Sequence, residues 1–153
     1  MHIVVLAVGR LRPYYRDAAN DYLRRLRRYA TVEEREVREP RAPGADVARA
    51  REAAALRERM PPGGTVVALA RQGTRWSSEA LARRVAGWQE RARPLVLVLG
   101  GSHGLAPDLL AGADERWSLG PLTLPHELAR VIALEQVYRA FTILRGEPYH
   151  KGR

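Results

Sequence analysis

Residues 95–104, Leu95-Val96-Leu97-Val98-Leu99-Gly100-Gly101-Ser102-His103-Gly104, decide the fold class. The first five form a continuous apolar run, typical of a strand that is buried on both faces of a parallel sheet. The glycines let the backbone turn sharply and let a ligand approach closely, so a side chain at Gly101 is expected to fill the approach path. A second loop, residues 118–125, follows another short strand. Two such loops predict a ligand pocket at the carboxyl end of a parallel sheet.

Strands and helices alternate along the chain. Strands are predicted at residues 2–8, 31–38, 65–70, 95–99 and 116–119, and the polar second strand is expected at an edge. Helices are predicted at residues 13–29, from Asp46 as a cap to residue 60, from a cap at Ser77 or Ser78, from Pro107, and at residues 126–144. This alternation predicts a single α/β domain over residues 1–153, with a mostly parallel sheet and helices on both faces.

The composition narrows the class of function. The chain has no cysteine, and its four histidines are scattered, so neither a disulfide framework nor a metal site is expected. No apolar run approaches the roughly 18 residues of a membrane span, and we expect a cytoplasmic protein without a membrane partner. The net charge of +9 favours a polyanionic partner, with nucleic acid first. Because 25 of the 26 cations are arginine, coding composition is an alternative explanation of that charge.

The last predicted helix has two apolar stripes. One stripe consists of Leu134, Val137, Phe141 and Leu144, and a second is formed by Leu128, Val131, Ile132 and Tyr138. A helix that is apolar on two sides is expected to be buried on two sides. The second stripe indicates either a subunit interface or a helix at the centre of the core.

The glycine loop admits several interpretations. It lacks the G-x-G-x-x-G pattern of dinucleotide-binding folds and the Gly-Lys-Ser/Thr of a P-loop. Residues 100–104 do spell G-x-S-x-G, the nucleophile elbow of serine hydrolases, with Ser102 as nucleophile. The short chain, the closeness of Asp108 to Ser102 and the lack of an earlier glycine-rich oxyanion segment count against a hydrolase.

The second loop and the tail carry two further hypotheses. The loop is stiffened by Pro121 and Pro125, so its backbone can hold an adenine, or it can be a rigid turn that only packs. The tail, residues 147–153, is expected to fray and to bind an RNA strand through its aromatic ring, its imidazole and its two cations. Arg139, on the last helix, is either functional or part of a solvated face.

The motifs LVLVLGGSHGL (95–105), WSLGPLTLPH (117–126), VYRAF (137–141) and PYHK (148–151) resemble one family closely. The resemblance is to the ribosomal large-subunit pseudouridine N3-methyltransferases of the SPOUT class, and it extends to LAVGRL (6–11) and DYLRRL (21–26). It implies a C-terminal trefoil knot, a homodimer with the second stripe at its interface, and a pseudouridine of a 23S rRNA stem-loop in the assembled ribosome as substrate. It also implies that S-adenosylmethionine is the cofactor. The implied cofactor-binding residues are Leu69, Ala70, Gly101, Gly120, Pro121, Leu122, Thr123, Leu124 and Pro125.

The resemblance also suggests catalytic residues. The proton on the acceptor nitrogen must leave, and a neutral histidine can accept it. We therefore assign His150 to base contact or proton transfer, Tyr149 to stacking or positioning, and Arg139 to binding an anion or phosphate. Some relatives have a carboxylate where His103 stands, so a base at that position would need another group here.

Overall fold

The computed structural model describes residues 1–151. The chain is built around a five-stranded parallel sheet. Its strands run in the order β2-β1-β4-β3-β5, and every neighbouring pair is parallel. Their bounds are β1 His2–Val8, β2 Thr31–Val37, β3 Thr65–Arg75, β4 Leu95–Leu99 and β5 Glu115–Ser118. The predicted α/β class is confirmed.

Strands β1 and β4, which lie side by side inside the sheet, are the most apolar ones. Every residue of β4 is buried, and in β1 only His2 is half-exposed. Strand β2 is mostly half-buried and lies at one edge, as its polar sequence predicts. Apolar strands thus occupy the middle of the sheet because both of their faces are covered.

Helices cover both faces of the sheet, as predicted. Their bounds are α1 Pro13–Leu26, α2 Ala45–Glu58, α3 Ser78–Glu90, α4 Pro107–Gly112 and α5 His126–Leu144, followed by a 3₁₀ helix at Pro148–Lys151. Helices α1, α3 and α5 share one hydrophobic cluster with the sheet, whereas α2 and α4 share the other. No helix within residues 1–151 combines the length and apolarity that a membrane span requires.

The ends of several elements differ from the predictions. Ser77 caps α3, since its side chain accepts a hydrogen bond from the backbone N–H of Ala80 at 3.0 Å. Asp46 does not cap α2, because the helix begins after Gly44 and the Asp46 carboxylate pairs with Arg49 in the first turn. Helix α1 stops at Leu26 rather than residue 29.

Strand β3 continues to Arg75, beyond the predicted end at Ala70. A register shift makes Leu69 and Thr74 both pair with Trp117 of β5, so the residues between them bulge out of the ladder. The bulge and the final residues of β3, here called the β3 extension (residues 70–75), stand at the carboxyl edge of the sheet.

Helix α5 packs its first apolar stripe into the core. Val137 and Phe141 are buried there, although Leu144, at the end of the stripe, is exposed. In the second stripe Tyr138 is buried against Tyr22, Tyr29 and Tyr149. The core therefore accounts for Tyr138 and for part of Val131, whereas Leu128 and Ile132 are half-buried. The exposed parts of these three aliphatic residues still fit an interface. The trefoil knot remains a prediction of the resemblance.

Candidate active site

A cleft of about 1010 Å³ lies at the carboxyl edge of the sheet. Three segments line it: the glycine loop after β4 (residues 100–105), the β3 extension, and the loop between β5 and α5 (residues 119–125), here called the proline loop. All nine predicted cofactor-binding residues lie along this cleft: Leu69, Ala70, Gly101, Gly120, Pro121, Leu122, Thr123, Leu124 and Pro125. The structure thus brings them together, and their role in binding a cofactor stays a prediction.

The glycine loop is a tight turn held by its own backbone. The N–H of Gly104 donates to the carbonyl oxygen of Gly101 at 3.1 Å. A Cβ added at Gly100 would lie 2.7 Å from the carbonyl carbon of Gly104, so no larger residue fits there without moving the backbone. The loop therefore keeps its shape by packing against itself.

Gly101 needs its small size for a different reason from the one that the sequence suggests. A Cβ at this position would lie 3.1 Å from Cγ1 of Val8 and 3.6 Å from Oε1 of Glu52. It would point into the core behind the loop, rather than into the approach path of a ligand. The expectation that a side chain at Gly101 fills that path is therefore wrong.

Ser118 anchors the proline loop at its β5 end. Its buried hydroxyl donates to the carbonyl oxygen of Arg71 at 3.0 Å and accepts the N–H of Gly120 at 3.1 Å. At the other end of the loop, Pro125 directly precedes α5. Leu122 is 73% exposed on the loop between these anchors. The loop is fixed at both ends and presents an apolar side chain to the solvent.

Arg130 fixes the first turns of α5 beside the cleft. Its side chain is 2% exposed and donates to the carbonyl oxygens of Val8 at 3.2 Å and Gly9 at 2.9 Å. It also pairs with the carboxylates of Glu34, at 3.2 Å, and Glu36. A buried arginine whose partners come from β1 and β2 holds three elements in one arrangement.

The cleft is basic. Arg49, Arg71, Arg75, His103 and His126 line it, and none of the lining residues within 1–151 is acidic. Within residues 1–151, neither Arg71 nor Arg75 forms an ion pair. Such a lining attracts anions and provides no carboxylate of its own to act as a base.

The three predicted catalytic residues lie outside this cleft. The Tyr149 hydroxyl donates to Oε1 of Glu135 at 2.9 Å, and the Arg139 guanidinium donates to the same oxygen at 2.6 Å. The Arg139 guanidinium also lies 4.8 Å from the centre of the Tyr149 ring, and His150 Nε2 lies 3.0 Å from Oε1 of Glu79. We call Glu135, Arg139, Tyr149 and His150 the tail cluster.

The tail cluster corrects the prediction of a frayed tail. Residues 148–151 form a 3₁₀ helix, with Tyr149 packed at 4.7 Å, centre to centre, against the ring of Tyr138. Burial, with hydrogen bonds to Tyr22 and Glu135, raises the pKa of Tyr149 well above its usual range. The phenol is therefore a neutral donor. Gly152 and Arg153, also part of the predicted tail, lie outside the described residues.

Within one chain, α5 separates the tail cluster from the cleft. Ala129 is the last α5 residue that lines the cleft, and Arg139 is ten residues further along the same helix. At 1.5 Å per residue, these two positions are about 15 Å apart along the axis. The structure therefore brings the cofactor candidates together and the catalytic candidates together, but not the two groups with each other.

Ser102 has no hydrolase machinery. Its hydroxyl is exposed and its hydrogen-bond partner is Glu39, 3.4 Å away, with no histidine partner within residues 1–151. Asp108, the nearest acidic residue along the chain, pairs with Arg57 at 2.8 Å. A nucleophile without a base within hydrogen-bond reach does not support a serine hydrolase.

Sequence reasoning missed two carboxylates near these groups. Glu135 joins Arg139 and Tyr149 of the tail cluster, and its i, i+4 spacing to Arg139 was the available signal. Glu52 of α2 is 2% exposed behind the glycine loop. Its signal was a charged residue at a core position, since Ala48, Ala53 and Leu56 on the same helix are also buried.

Comparisons with known proteins agree with this architecture. A family model described as "Predicted SPOUT methyltransferase" matches residues 1–150. Ribosomal RNA large subunit methyltransferase H of Rubrobacter xylanophilus is 50% identical over 162 residues, covering 95% of this chain and 96% of the relative. The protein of the same name from Anaeromyxobacter dehalogenans is 48% identical over 153 residues, covering 99% and 100%.

Two solved structures share the fold. A probable methylase family protein from Haemophilus influenzae aligns with a TM-score of 0.55 at 12% identity, over 97% of this chain and 69% of that one. A probable methyltransferase from Bordetella pertussis aligns with a TM-score of 0.54 at 19% identity, over 91% and 95%. At such low identity, the likeness extends to the fold alone.

Proposed function

This chain belongs to the SPOUT methyltransferase family, and we propose that it transfers a methyl group from S-adenosylmethionine to N3 of a pseudouridine in a 23S rRNA stem-loop. We propose that the substrate is the assembled ribosome and the active form a homodimer. The observation that carries the proposal is the convergence of the nine candidate cofactor residues on one cleft at the carboxyl edge of a parallel sheet. The names of the relatives, which act on large-subunit ribosomal RNA, support the substrate class.

The cleft fits a nucleoside cofactor. Its volume of about 1010 Å³ is large enough for a ligand of that size. Its wall on the side of the proline loop consists of uncharged residues, among them Gly120, Pro121 and Leu122. This wall offers backbone groups and apolar side chains to a ligand. When bound there, S-adenosylmethionine would supply an electrophilic methyl group. The protein's task is then to hold donor and acceptor in line.

The basic lining suits an RNA acceptor. Arg71 and Arg75 stand on the β3 extension at the rim of the cleft, where they can bind phosphates beside the target base. The net charge of +9 draws the protein towards the ribosomal surface. Arginine in the site also stabilises the negative charge that develops on the base when its proton leaves.

The separation of the two groups of candidates supports the proposed homodimer. We propose that the tail cluster of one subunit completes the cleft of its partner, because it lies outside the cleft of its own chain. His150 would then accept the N3 proton or contact the base, while Arg139 would bind an anion. The half-buried residues Leu128, Val131 and Ile132 provide apolar surface for the interface.

The proposed reaction is tested on intact ribosomes. The protein, labelled S-adenosylmethionine and either ribosomes or bare 23S rRNA are incubated, and the methylated nucleotide is mapped by mass spectrometry. We expect one methyl group on one pseudouridine when the substrate is the intact ribosome. Ribosomes from cells that cannot make the pseudouridine are the matched control and should accept none. Ribosome binding without methyl transfer would instead indicate a non-catalytic ribosome-associated protein, which the net charge also fits.

The shared active site is tested by mixing two inactive variants. One chain carries Arg139→Ala and His150→Ala, and the other carries Gly120→Val, which strains a backbone with φ of +118° in the proline loop. Random pairing makes half of the dimers mixed, each with one intact site, so about a quarter of wild-type activity should return. A mixture as inactive as either variant would show that each subunit works alone.

A further inference from the structure

Glu52 is a buried carboxyl group that the proposed reaction does not use. Its side chain is 2% exposed on the apolar side of α2. Neither of its carboxyl oxygens has a hydrogen-bond partner within residues 1–151. A buried polar group without a partner is costly, and an apolar residue of similar size would be more stable there. Its presence therefore calls for a functional explanation.

The backbone of Gly101 lies between this carboxyl group and the cleft. Gly101 lines the cleft, and a Cβ built on its other side would lie 3.6 Å from Oε1 of Glu52. The absence of a side chain at Gly101 is what lets the carboxyl group approach so closely. A charge at Glu52 thus acts on the cleft through one layer of backbone.

Burial and the charged groups that face Glu52 both act on its protonation. Burial raises the pKa of the Glu52 carboxyl, and the neighbouring carboxylate of Glu39 raises it further. His103 on the glycine loop and Arg49 on α2 act in the opposite direction. A further positive charge in the cleft would favour ionisation.

We propose that Glu52 is the buried counter-charge for the sulfonium of S-adenosylmethionine in the cleft, an inference that rests on the proposed function. The lining within residues 1–151 contains three arginines and no acid, so a negative charge behind the wall would favour a cationic sulfur placed there. Glu52 is positioned to supply that charge from the protein side of Gly101. It is a positioning residue, since it does not touch the reacting atoms.

The proton balance of this role is defined. On binding of the cofactor, Glu52 ionises and one proton goes to solvent. In methyl transfer the methyl–sulfur bond would break and the methyl–N3 bond would form. The N3 proton would pass to His150 and then to solvent, and the sulfur would become neutral. Glu52 would then take up one proton from solvent, so no proton is gained or lost over the step. The neutral product loses the attraction of Glu52, which favours its release.

The test is calorimetric titration of the full chain with S-adenosylmethionine and with S-adenosylhomocysteine. Both compounds carry the same amino and carboxylate groups, and only the first has a sulfonium. Titrations near neutral pH in two buffers of different ionisation enthalpy give the number of protons released. Glu52→Gln is the test variant, because glutamine copies the shape of the neutral acid and should fold like the wild type. Glu58→Gln, an exposed position on the same helix, is the matched control.

Wild type and Glu58→Gln should release a proton with S-adenosylmethionine and none with S-adenosylhomocysteine. Glu52→Gln should release none, and its affinity for S-adenosylmethionine should fall about tenfold with that for S-adenosylhomocysteine unchanged. If Glu52→Gln lost the same affinity for both compounds, or lost affinity for neither, the counter-charge role would be overturned. Wild type that binds neither compound would overturn the proposed function itself, and this role with it.

Discussion

Replacing Gly101 with valine should destabilise the fold, and not simply block the cleft. The new Cβ would lie 3.1 Å from Cγ1 of Val8, which is tighter than ordinary van der Waals contact, and the two methyl groups would extend the clash. Val8 belongs to β1, a buried strand paired between β2 and β4, so it has little room to move. Inserting carbons into such a core costs about 2–3 kcal/mol.

Thermal unfolding measures this cost. For a chain of this length, each kcal/mol lowers Tm by about 2–4 °C, so Gly101→Val should melt about 4–12 °C below the wild type. Gly101→Ala adds the Cβ alone and should lose about 1 kcal/mol, or about 2–4 °C. The affinity for S-adenosylmethionine should fall more in Gly101→Val than in Gly101→Ala, because the larger side chain displaces the glycine loop further towards the cleft.

The result that refutes this reasoning is a separation of stability from binding. If Gly101→Val melts within about 1 °C of the wild type but no longer binds S-adenosylmethionine, the side chain points into the cleft. The packing of Gly101 against Val8 would then not be the reason for its small size.

Three further outcomes are expected. Arg130→Ala should lower the free energy of unfolding in urea by about 2 kcal/mol, because the carbonyl oxygens of Val8 and Gly9 lose their charged donor while Glu34 keeps its pair with Arg16. A loss below about 1 kcal/mol would contradict that. The pKa of Tyr29 is raised to about 12 by burial and by its hydrogen bond to Glu147, so the neutral phenol is favoured in the fold. The stability that this group contributes is complete below about pH 10 and is lost between pH 10 and 12. The free energy of unfolding should therefore fall less steeply over that range in Tyr29→Phe than in the wild type. An equally steep fall in both proteins would refute this role of Tyr29. His150→Ala should lower kcat at least about 100-fold with cofactor Kd nearly unchanged, and unchanged turnover would remove it from the mechanism.

The elements that sequence patterns located best are those with a strong local signal. Strand β4 is a run of five apolar residues bounded by Pro94 and Gly100, and α5 begins directly after Pro125. Both have the predicted bounds because a local breaker ends each pattern. The gathering of the cofactor candidates was also predictable, since carboxyl ends of neighbouring parallel strands meet at one edge.

What could not be predicted depends on contacts between distant segments. The β3 extension is polar and exists because β5 continues to pair with it beyond the bulge. The tail is ordered because Tyr149 finds Glu135 and Tyr138 on α5, a contact that a terminal position does not reveal. Glu52 carries no motif, and its meaning depends on the burial that α2 gives it.

A structure of the full chain bound to S-adenosylmethionine tests the central claim most directly. We predict that the compound lies between the glycine loop and the proline loop, against the β3 extension, with Gly101 and Leu122 on opposite sides of it. Binding at another surface, with this cleft closed by side chains, would contradict the assignment of the cleft as the cofactor site.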